Sequence, residues 1–475
     1  MNNSHHDFMY NDNIEEGSGL KGAIDEKTAN LIVKYFDKEI KKKITELKVG
    51  NQHLSLNSMV CDITNLNFGI SNYSYNKVKV YFEPKDKIHI YLNDIIGWGI
   101  FEISLNLLVV SQKEVVNFQI KNINVISTLK IKSKYKDGKL LPDIEIIKLD
   151  YDYDFDFELS SKLGNVLYLF KNQIKNLIKR EMNKLIDREI NHGIQIGLSM
   201  IPNEIIVDKE KGYVIDYSLI STPYIENNYI LFNSYARLIN KNIKETLNKD
   251  NYFLPLSIPS YDLIGKSSQI YISDYVINTA LFTFFKTKDL EIFVTPDMLP
   301  PNLPIIKLST SWLGIIFKDI SNVFGADVPV TFKFIVCENP QLILKENFIS
   351  FILPTNIEVM VHGFQGIAVK FKTTFFVDAV LKVFENCKIS GKIENLNIQN
   401  TKIIWSYADD ENFAKNIEDK FNFLKGIALP FINMFVLKNI DFKLPIIRGI
   451  KFTDMTISHH ENFIIINYNF SYNEN

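Results

Sequence analysis

Two long stretches of the chain carry apolar residues three or four positions apart, which is the spacing of a helix with one buried face. The longer stripe predicts an amphipathic helix over Ser160–Ile190, with lysines and acidic residues between the apolar positions. At 1.5 Å per residue such a helix is ~45 Å long, so the half of the molecule around it should be elongated. The earlier stripe follows Gly19 and predicts a first helix; its apolar residues are Ala23, Ile24, Leu31, Ile32, Tyr35, Phe36, Ile40 and Ile44.

Between the two helices, apolar and polar residues frequently alternate with a period of two, which predicts antiparallel strands. Asp137-Gly138 is a turn signal near the middle of this region. A strongly twisted sheet around a long helix would leave a tube, with the inner sheet face and the helix stripe as its wall. The predicted strands are Val78–Tyr81, Ile88–Leu92, Ile100–Val110, Val115–Ile120, Val125–Tyr135 and Ile144–Leu159.

The second half of the chain repeats this order of elements. A very apolar helix is predicted near Ser273–Phe285, strands from Leu290 through Trp405, and another helix over about Asn412–Leu437, before a closing strand. A helix that is apolar all round must be buried or must line an apolar cavity. The repeat indicates two halves of similar plan, and Asn251–Tyr261, with two prolines, is the best candidate for the segment between them.

Two runs of alternating charge lie on either side of the Asp137-Gly138 turn. The acidic run places its carboxylates on one strand face and large apolar groups on the other, which indicates either a cation site or a solvated outer face. If the hairpin pairs the two strands, the basic and acidic faces lie side by side, and Leu129, Ile131 and Tyr135 face inward. The acidic run is Asp150, Asp152, Asp154, Asp156 and Glu158, and the basic run is Lys130, Lys132, Lys134 and Lys136.

The composition is that of an ordinary globular chain, with 46% apolar and 23% charged residues. A formal charge of -2 argues against nucleic-acid binding, which usually needs a basic surplus. The aromatic content is more informative, because 35 Phe and 22 Tyr supply either the wall of an apolar cavity or a large ordinary core.

Enzyme signatures are missing from the sequence. Gly265-Lys266-Ser267 resembles the end of a phosphate-binding loop, but Ser260 stands where that loop needs a glycine. There is no Gly-x-Ser-x-Gly elbow and no His-Glu-x-x-His pair. Cys61, Cys337 and Cys387 are too scattered for a metal site and are expected to be buried free thiols. We therefore expect no enzyme activity, no metal and no cofactor.

Three segments resemble the bactericidal/permeability-increasing and lipopolysaccharide-binding protein family. Ser273-Asp274-Tyr275, Asn278-Thr279-Ala280 and Asp297-Met298-Leu299-Pro300 resemble the opening of its C-terminal half. Gly19-Leu20 with the stripe behind it resembles its N-terminal helix, and Leu444-Pro445 with the strand from His460 to Tyr468 resembles its closing strand. Further similarity joins these three segments and includes Ile215–Pro223, which looks like the end of the family's first half. The resemblance spans nearly all 475 residues.

The resemblance implies an α+β fold shaped as an elongated, two-barrel boomerang. Each half would be a highly twisted antiparallel sheet wrapped around long amphipathic helices, and a central sheet would join the halves. Residues 1–18 are expected to be a disordered N-terminal segment, and residues 19–250 a lipid-binding barrel with its share of the central sheet. Residues 251–261 would then be the linker, and residues 262–475 the C-terminal lipid-binding barrel.

The family's lipid-binding role implies that acyl chains enter beneath the first helix of each half. Helix periodicity and the correspondence of elements then select the residues of the wall. In the first half they are Leu20, Ile24, Ile32 and Phe36 with Leu167, Phe170, Ile174 and Ile178, and in the second half Tyr275, Ala280 and Phe282 with Phe423, Leu424, Ile427 and Phe431.

Asn93–Phe101 is the segment nearest to a lysine-rich hairpin that bactericidal members of the family use on anionic lipopolysaccharide. This segment has no lysine. Its apolar residues would either insert shallowly into a membrane, since Trp favours the headgroup region, or belong to a strand whose Trp packs in the core. The candidate membrane-contact residues are Ile95, Ile96, Trp98 and Phe101.

The resemblance thus implies a carrier that binds phospholipid or a related amphiphile in apolar tunnels and carries or presents it peripherally at membranes. The alternative is an adhesion or microbial-surface recognition protein that uses the same fold without lipid transfer. A secreted or lumenal location also follows from the resemblance alone. The regions that correspond to the family's usual disulfide, Leu141–Ile147 and Leu185–Ile190, contain no cysteine, and Met1–Ser18 has no hydrophobic signal-peptide core.

Overall fold

The computed structural model describes most of the chain. The described residues are 18–31, 47–56, 59–72, 77–107, 110–158, 164–199, 201, 203–243, 267–298, 307–317, 319–384, 388–407, 417–421, 425–426, 429–430, 433, 442–443 and 450–472. Within these ranges the protein is mainly antiparallel sheet with few helices.

The strands of the first half, in chain order, are β1 (Leu20–Asp25), β2 (Leu47–Val49), β3 (Gln52–Leu56), β4 (Met59–Asn72), β5 (Val78–Glu83), β6 (Lys87–Leu107), β7 (Val110–Lys136), β8 (Lys139–Asp156), β9 (Glu204–Asp208), β10 (Tyr213–Asp216), β11 (Tyr224–Glu226), β12 (Tyr229–Ser234) and β13 (Arg237–Asn240). Those of the second half are β14 (Ser268–Ser273), β15 (Glu291–Val294), β16 (Val330–Val336), β17 (Gln341–Lys345), β18 (Phe348–Val361), β19 (Val369–Phe384), β20 (Lys388–Ser406), β21 (Phe442–Lys443), β22 (Ile450–His460) and β23 (Phe463–Tyr472).

The helices are α1 (residues 26–31), α2 (Gly164–Ser199), α3 (Asp274–Lys286), α4 (Thr310–Leu313), α5 (Ile320–Phe324) and α6 (residues 417–421), with a 3-10 turn at Pro296–Met298. The predicted helices over Ser160–Ile190 and Ser273–Phe285 are confirmed as α2 and α3, with α2 extending nine residues further than expected. Residues 425–426, 429–430 and 433 are also helical, within the predicted helix over Asn412–Leu437.

The first predicted helix begins later than expected. Leu20 and Ile24 belong to β1, which pairs with β12 on one side and β14 on the other, and helical structure starts at residue 26. Main-chain pairing on both edges therefore outweighs the helical spacing of the apolar residues there. Asp25 ends the strand and caps the helix, because its Oδ1 accepts a 2.7 Å hydrogen bond from Thr28 N.

The central sheet takes three strands from each half of the chain. Its order is β11-β12-β1-β14-β23-β22, and β1 and β14 lie side by side at its middle. The first half also forms a sheet in the order β2-β4-β6-β7-β8, with β3 paired to β4 and β5 to β6. The second half forms β15-β16-β18-β19-β20-β21 with β17 paired to β18, and β13-β10-β9 make a small third sheet.

The first-half sheet bends at irregularities on three adjacent strands. Asn65, Asp94 and Asn122, on the adjacent strands β4, β6 and β7, all have left-handed backbones with φ between 50° and 54°. Register shifts occur at each of these positions. Asn and Asp tolerate this conformation better than other non-glycine residues, and bulges of this kind strengthen sheet twist. The extra residue of a bulge moves the following residues to the opposite face of the strand. Ile90 before the bend and Ile95 after it therefore both face the core, although one number is even and the other odd.

The paired charges confirm the hairpin and correct its partners. Lys134 pairs with Asp143 at 2.9 Å, Lys132 with Glu145, and Lys130 with Asp86 at 3.2 Å, so the basic run meets other acids than Asp150–Asp156. The carboxylates of the acidic run are exposed, as the solvated-face interpretation requires. Leu129 and Ile131 are buried as expected, but Tyr135, close to the Asp137-Gly138 turn, is 75% exposed.

Candidate functional site

One face of the second-half sheet is apolar across five neighbouring strands. Residues paired across antiparallel strands point to the same face, so the register identifies its members. Thr355 and Thr373 interrupt the apolar surface, and both are buried; Thr355 Oγ1 donates to Leu353 O at 2.9 Å. The apolar members are Ile292 and Val294 on β15, Val330, Phe332, Phe334 and Val336 on β16, Phe351, Leu353, Ile357, Val359 and Val361 on β18, Val369, Phe371, Phe375 and Val377 on β19, and Leu396 and Ile398 on β20.

The distal end of this face is closed by two short helices. Leu313 at the end of α4 and Ile320 in α5 are fully buried against Val330, Val359 and their neighbours in one packed cluster. Ser309 begins α4 by accepting a 3.4 Å hydrogen bond from Trp312 N, and Gly325, with a φ of 88°, ends α5. This end is therefore ordinary protein core.

The end nearest the central sheet is closed by α3. Its residues Ile277 and Leu281 pack in a separate cluster with Leu342 of β17, Ile349 of β18 and Leu381 of β19. α3 bridges the two halves, because on its other side Thr283 Oγ1 donates a 3.0 Å hydrogen bond to Leu238 O of β13. α3 therefore lies between the small sheet of the first half and the large sheet of the second half, and it contacts both.

Between the buried residues of these two clusters lies a part of the face that we call the aromatic strip: Ile292, Phe334, Leu353, Phe375 and Val377. Phe334 and Phe375 pack against the distal cluster, and Phe375 also contacts Phe421 of α6, with ring centroids 6.0 Å apart. Four of its members are only partly buried, and Ile292 at its edge is 62% exposed. The rings touch one another, with centroids 6.1 Å apart for Phe334 and Phe375. An apolar surface that is only partly covered is suited to a ligand that is itself apolar.

The stripe of α2 is packed core. Phe170, Ile174 and Ile178, all expected in the wall of a cavity, are fully buried against strand residues of β4, β6, β7 and β8. Tyr153 of β8 also joins the helix, donating hydrogen bonds to Asn183 Oδ1 at 2.8 Å and to Lys179 O at 3.2 Å, and burial raises its pKa. Leu167 lies in α2, and its side chain is outside the described part of the structure.

An open cleft of about 650 Å³ lies beside the last part of α2, between this helix and β8. Ile144, Ile146 and Leu149 form its apolar part. Its remaining lining is polar: Lys132, Asp143, Glu145, Asp187 and Asn191. The mixture suits a polar group better than a hydrocarbon chain, because burying these charges against an acyl chain would be costly.

The other predicted wall residues are distributed differently from the expectation. Tyr275 and Phe282 are buried, and Ala280 is partly buried, all on α3. Tyr275 lies near the Gly19 backbone and hydrogen-bonds to Arg237, so it faces protein; burial raises its pKa, and Arg237 opposes that rise. Ile32, Phe36, Phe423, Leu424, Ile427 and Phe431 lie outside the described residues.

The segment predicted to contact a membrane forms the middle of β6. Ile95 and Phe101 are buried in the α2 core, so they cannot reach a bilayer without local unfolding, and that expectation is wrong for both. Trp98 is partly buried and lies across Gly69, where a Cβ atom would come within 2.5 Å of the indole. Ile96 is partly buried. Trp98 lies on the other face of β6 from the buried Phe101, so membrane contact by Trp98 and Ile96 stays a prediction.

An ionic network joins the first-half hairpin to the centre of the molecule. Asp216 of β10 is buried and accepts hydrogen bonds from Lys139 at 3.0 Å and from Arg237 at 3.1 Å. Burial alone would raise the pKa of Asp216, but the bonds from Lys139 and Ser218 outweigh it and hold the pKa below its ordinary value. Glu204 bridges Lys139 at 2.6 Å and Lys241 at 2.5 Å, which lowers its pKa.

Two further classes of site are not found among the described residues. None of the helices described is both long and apolar enough to cross a membrane. The described His, Cys, Asp and Glu side chains form no group of three that could hold a metal ion. Cys61 is buried, which raises its pKa to about 12, Cys337 is partly buried, and Cys387 lies outside the described residues.

The aromatic strip was missed because sequence reasoning placed the wall on helices. The signal was available in the alternation of Val330, Phe332, Phe334 and Val336, four apolar residues on one face of a strand. The sequence does not show which residues of that face are buried and which are exposed, because this depends on where α3, α4, α5 and α6 pack.

Comparisons with known proteins agree with this architecture. The family described as LBP / BPI / CETP family, C-terminal domain, matches residues 206–472, more than half of the chain. Lipopolysaccharide-binding protein from Bos taurus is 23% identical over 344 residues, covering 66% of this chain and 64% of the relative. The protein of that name from Rattus norvegicus is 23% identical over 328 residues, with the same coverage. The match thus spans less than two thirds of these relatives' length.

The crystal structure of lipopolysaccharide binding protein superposes with a TM-score of 0.51 at 18% identity, covering 96% of this chain and 99% of that one. This likeness confirms the predicted α+β fold of two curled antiparallel sheets joined by a central one. The chain belongs to the LBP / BPI / CETP family.

Proposed function

We propose that this protein binds an amphiphilic lipid with its acyl chains on the aromatic strip of the second half. The observation that carries the proposal is the partial exposure of this apolar face between the buried residues of two clusters, with Ile292 62% exposed at its edge. Each methylene removed from water contributes about 0.8 kcal/mol, so two ordinary acyl chains with roughly thirty methylenes represent about 25 kcal/mol of apolar burial. A carrier has to replace most of that environment, and the proposal assigns this role to the continuous apolar face of the second-half sheet.

We also propose that the ligand is a phospholipid or a similar amphiphile, whose headgroup stays near solvent while the chains lie on the sheet. Release would follow docking on a membrane surface, outside the cell or in a lumen. Family membership supports this proposal, as do two relatives named for lipopolysaccharide binding, a ligand that is also an amphiphile with acyl chains. The mechanism is passive, requiring neither a nucleophile nor a cofactor.

The packed interior beneath α2 favours a different role for the first half. Phe170, Ile174 and Ile178 have no exposed surface. This part of the first half is therefore packed core and presents no apolar surface to a hydrocarbon chain. The second candidate function is therefore recognition of a surface or partner by the same fold, without lipid transfer.

Two substitutions on β15 test lipid binding, because neighbouring residues of a strand point to opposite faces. Ile292 belongs to the aromatic strip, whereas Phe293 is 45% exposed on the other face, beside Lys333. Lipid extracted from the purified full chain and quantified by mass spectrometry should fall several-fold in Ile292→Asp and stay at the wild-type level in Phe293→Asp. Equal lipid content in both variants, or a wild-type protein free of lipid, would refute the proposal.

A further inference from the structure

Asn30 and Asn278 make the same pair of hydrogen bonds in the two halves of the protein. Asn278 Nδ2 donates to Leu342 O at 2.9 Å, and Leu342 N donates to Asn278 Oδ1 at 2.7 Å. Asn30 Nδ2 donates to Val80 O at 2.9 Å, and Val80 N donates to Asn30 Oδ1 at 2.9 Å. Each carboxamide therefore bonds a strand residue as a neighbouring strand would.

The two asparagines occupy equivalent positions. Each is the fifth residue of a helix that directly follows a six-residue strand, β1 before α1 and β14 before α3. β1 and β14 pair with each other, and Gly22 opposite Ile270 is the middle of the five residue pairs. A local two-fold axis at that pair exchanges β1 with β14, and so relates Asn30 to Asn278.

The strand residues that receive these bonds also correspond. β5 carries Val80 and pairs with β6, whereas β17 carries Leu342 and pairs with β18; each is a short strand beside a long one. Val80 is 4% exposed and Leu342 2% exposed. A buried main-chain N–H or C=O without a partner is costly, so the asparagine supplies what the end of the sheet lacks.

Each asparagine also holds its helix over the apolar face of a large sheet. Beside Asn278, Ile277 and Leu281 of α3 cover the end of the aromatic face nearest the central sheet. Beside Asn30, Ala29 of α1 covers the cluster of Val80, Phe82 and Ile131. The two helices are in the same relation to the two sheets, and in each the carboxamide is the hydrogen-bonded tie between helix and strand edge.

We propose that Asn30 and Asn278 are a matched pair of latches, which hold α1 and α3 closed over the central-sheet ends of the two apolar faces. Breaking the Asn278 latch lets α3 lift from β17 and opens the aromatic strip along its length. The latch itself is independent of the proposed function, whereas its consequence for lipid exchange rests on it.

The two latches differ in what supports them. α1 has a second tie to β5, because Phe82 N donates to Glu26 Oε2 at 2.9 Å. The second tie of α3, from Thr283 to Leu238, runs to β13 on the opposite side. Loss of the asparagine should therefore free the β17 side of α3 more than the β5 side of α1.

Hydrogen exchange on the full-length protein tests the latch without any ligand. The α3 amides should exchange roughly tenfold faster in Asn278→Ala than in the control Thr279→Ala, since two cross-element hydrogen bonds are lost. Thr279 is also buried, but its hydroxyl bonds to Val276 O within α3. Asn30→Ala should accelerate exchange in α1 and β5 by a smaller factor and leave α3 unchanged. Equal α3 exchange in the Asn278 and Thr279 variants would overturn the proposal.

Release of nitrobenzoxadiazole-labelled phosphatidylcholine tests the consequence. Asn278→Ala should release the probe several-fold faster than Thr279→Ala. Faster α3 exchange with unchanged release would remove the link between latch and lipid and leave the latch standing. A wild-type protein that does not take up the probe would count against the proposed function, and the exchange comparison would still decide the latch.

Discussion

Asp216 Oδ2 accepts two hydrogen bonds from the guanidinium of Arg237, at 3.2 Å from Nε and 3.1 Å from Nη2. Its other oxygen accepts from Lys139 Nζ at 3.0 Å and from Ser218 N at 3.1 Å. One buried carboxylate thus connects β8, β10 and β13, and these four hydrogen bonds all come from residues of the first half.

Removing this charge should destabilise the protein strongly. In Asp216→Ala, Lys139 and Arg237 lose a buried counter-charge, and breaking a buried pair on one side typically costs about 3–5 kcal/mol. Urea unfolding followed by circular dichroism measures the loss. Glu346→Gln, at an exposed turn position, is the control and should change stability by less than about 0.5 kcal/mol. Equal midpoints for the two variants would show that the network contributes nothing.

The same carboxylates should make the protein acid-sensitive. The pKa values of Asp216 and Glu204 are both lower in the folded protein than their ordinary values. A depressed pKa contributes stability that is present above the unfolded pKa, about 4, and is lost as pH falls through the folded value. Unfolding free energy should therefore drop below about pH 4, and less steeply in Asp216→Asn than in the wild type. Parallel curves for both proteins would contradict this assignment.

Phe170 should behave as a core residue and not as part of a ligand site. It is fully buried beneath β4, β6, β7 and β8, so Phe170→Ala should cost about 3–5 kcal/mol of unfolding free energy. Tyr168 on the same helix is 71% exposed, and Tyr168→Ala should cost less than about 0.5 kcal/mol. A small change at Phe170, together with loss of bound lipid, would restore the cavity-wall role expected from the sequence.

Gly99 should not tolerate a side chain. The ring of Phe118 lies across it, and a Cβ atom there would come within 2.1 Å of Cζ. Gly99→Ala has to displace that ring from the α2 core and should cost about 1–3 kcal/mol. Gly391 is also a strand glycine, but its nearest neighbour would be Leu381 Cδ2 at 3.8 Å, so Gly391→Ala should be neutral or slightly stabilising. Thermal unfolding of the two variants distinguishes them.

The sequence predicted what depends on local pattern. The stripe of α2, the apolar α3 and the alternating strands followed from spacing alone, and the fold class followed from the resemblance at Ser273–Ala280 and at the closing strand. The first helix was placed too early, because the residues of β1 carry no sign of their partners β12 and β14.

The candidate site was harder to predict, because exposure depends on partners distant in sequence. Phe170 and Phe334 are both aromatic residues on apolar faces, yet one is fully buried and the other only partly. The difference arises because α2 lies along the first-half sheet, whereas α3, α4, α5 and the described part of α6 leave the middle of the second-half face only partly covered. No local pattern in either segment contains that information.

The shared central sheet has a consequence for the integrity of the chain. β14 pairs with β1 on one side and with β23 on the other, so a strand of the first half is hydrogen-bonded directly to a strand of the second half within one sheet. A protease that cut the backbone once between the halves would therefore produce two fragments that remain associated through main-chain amides. Neither fragment would be a self-sufficient folding unit, because each would expose a row of peptide groups that only the other can satisfy.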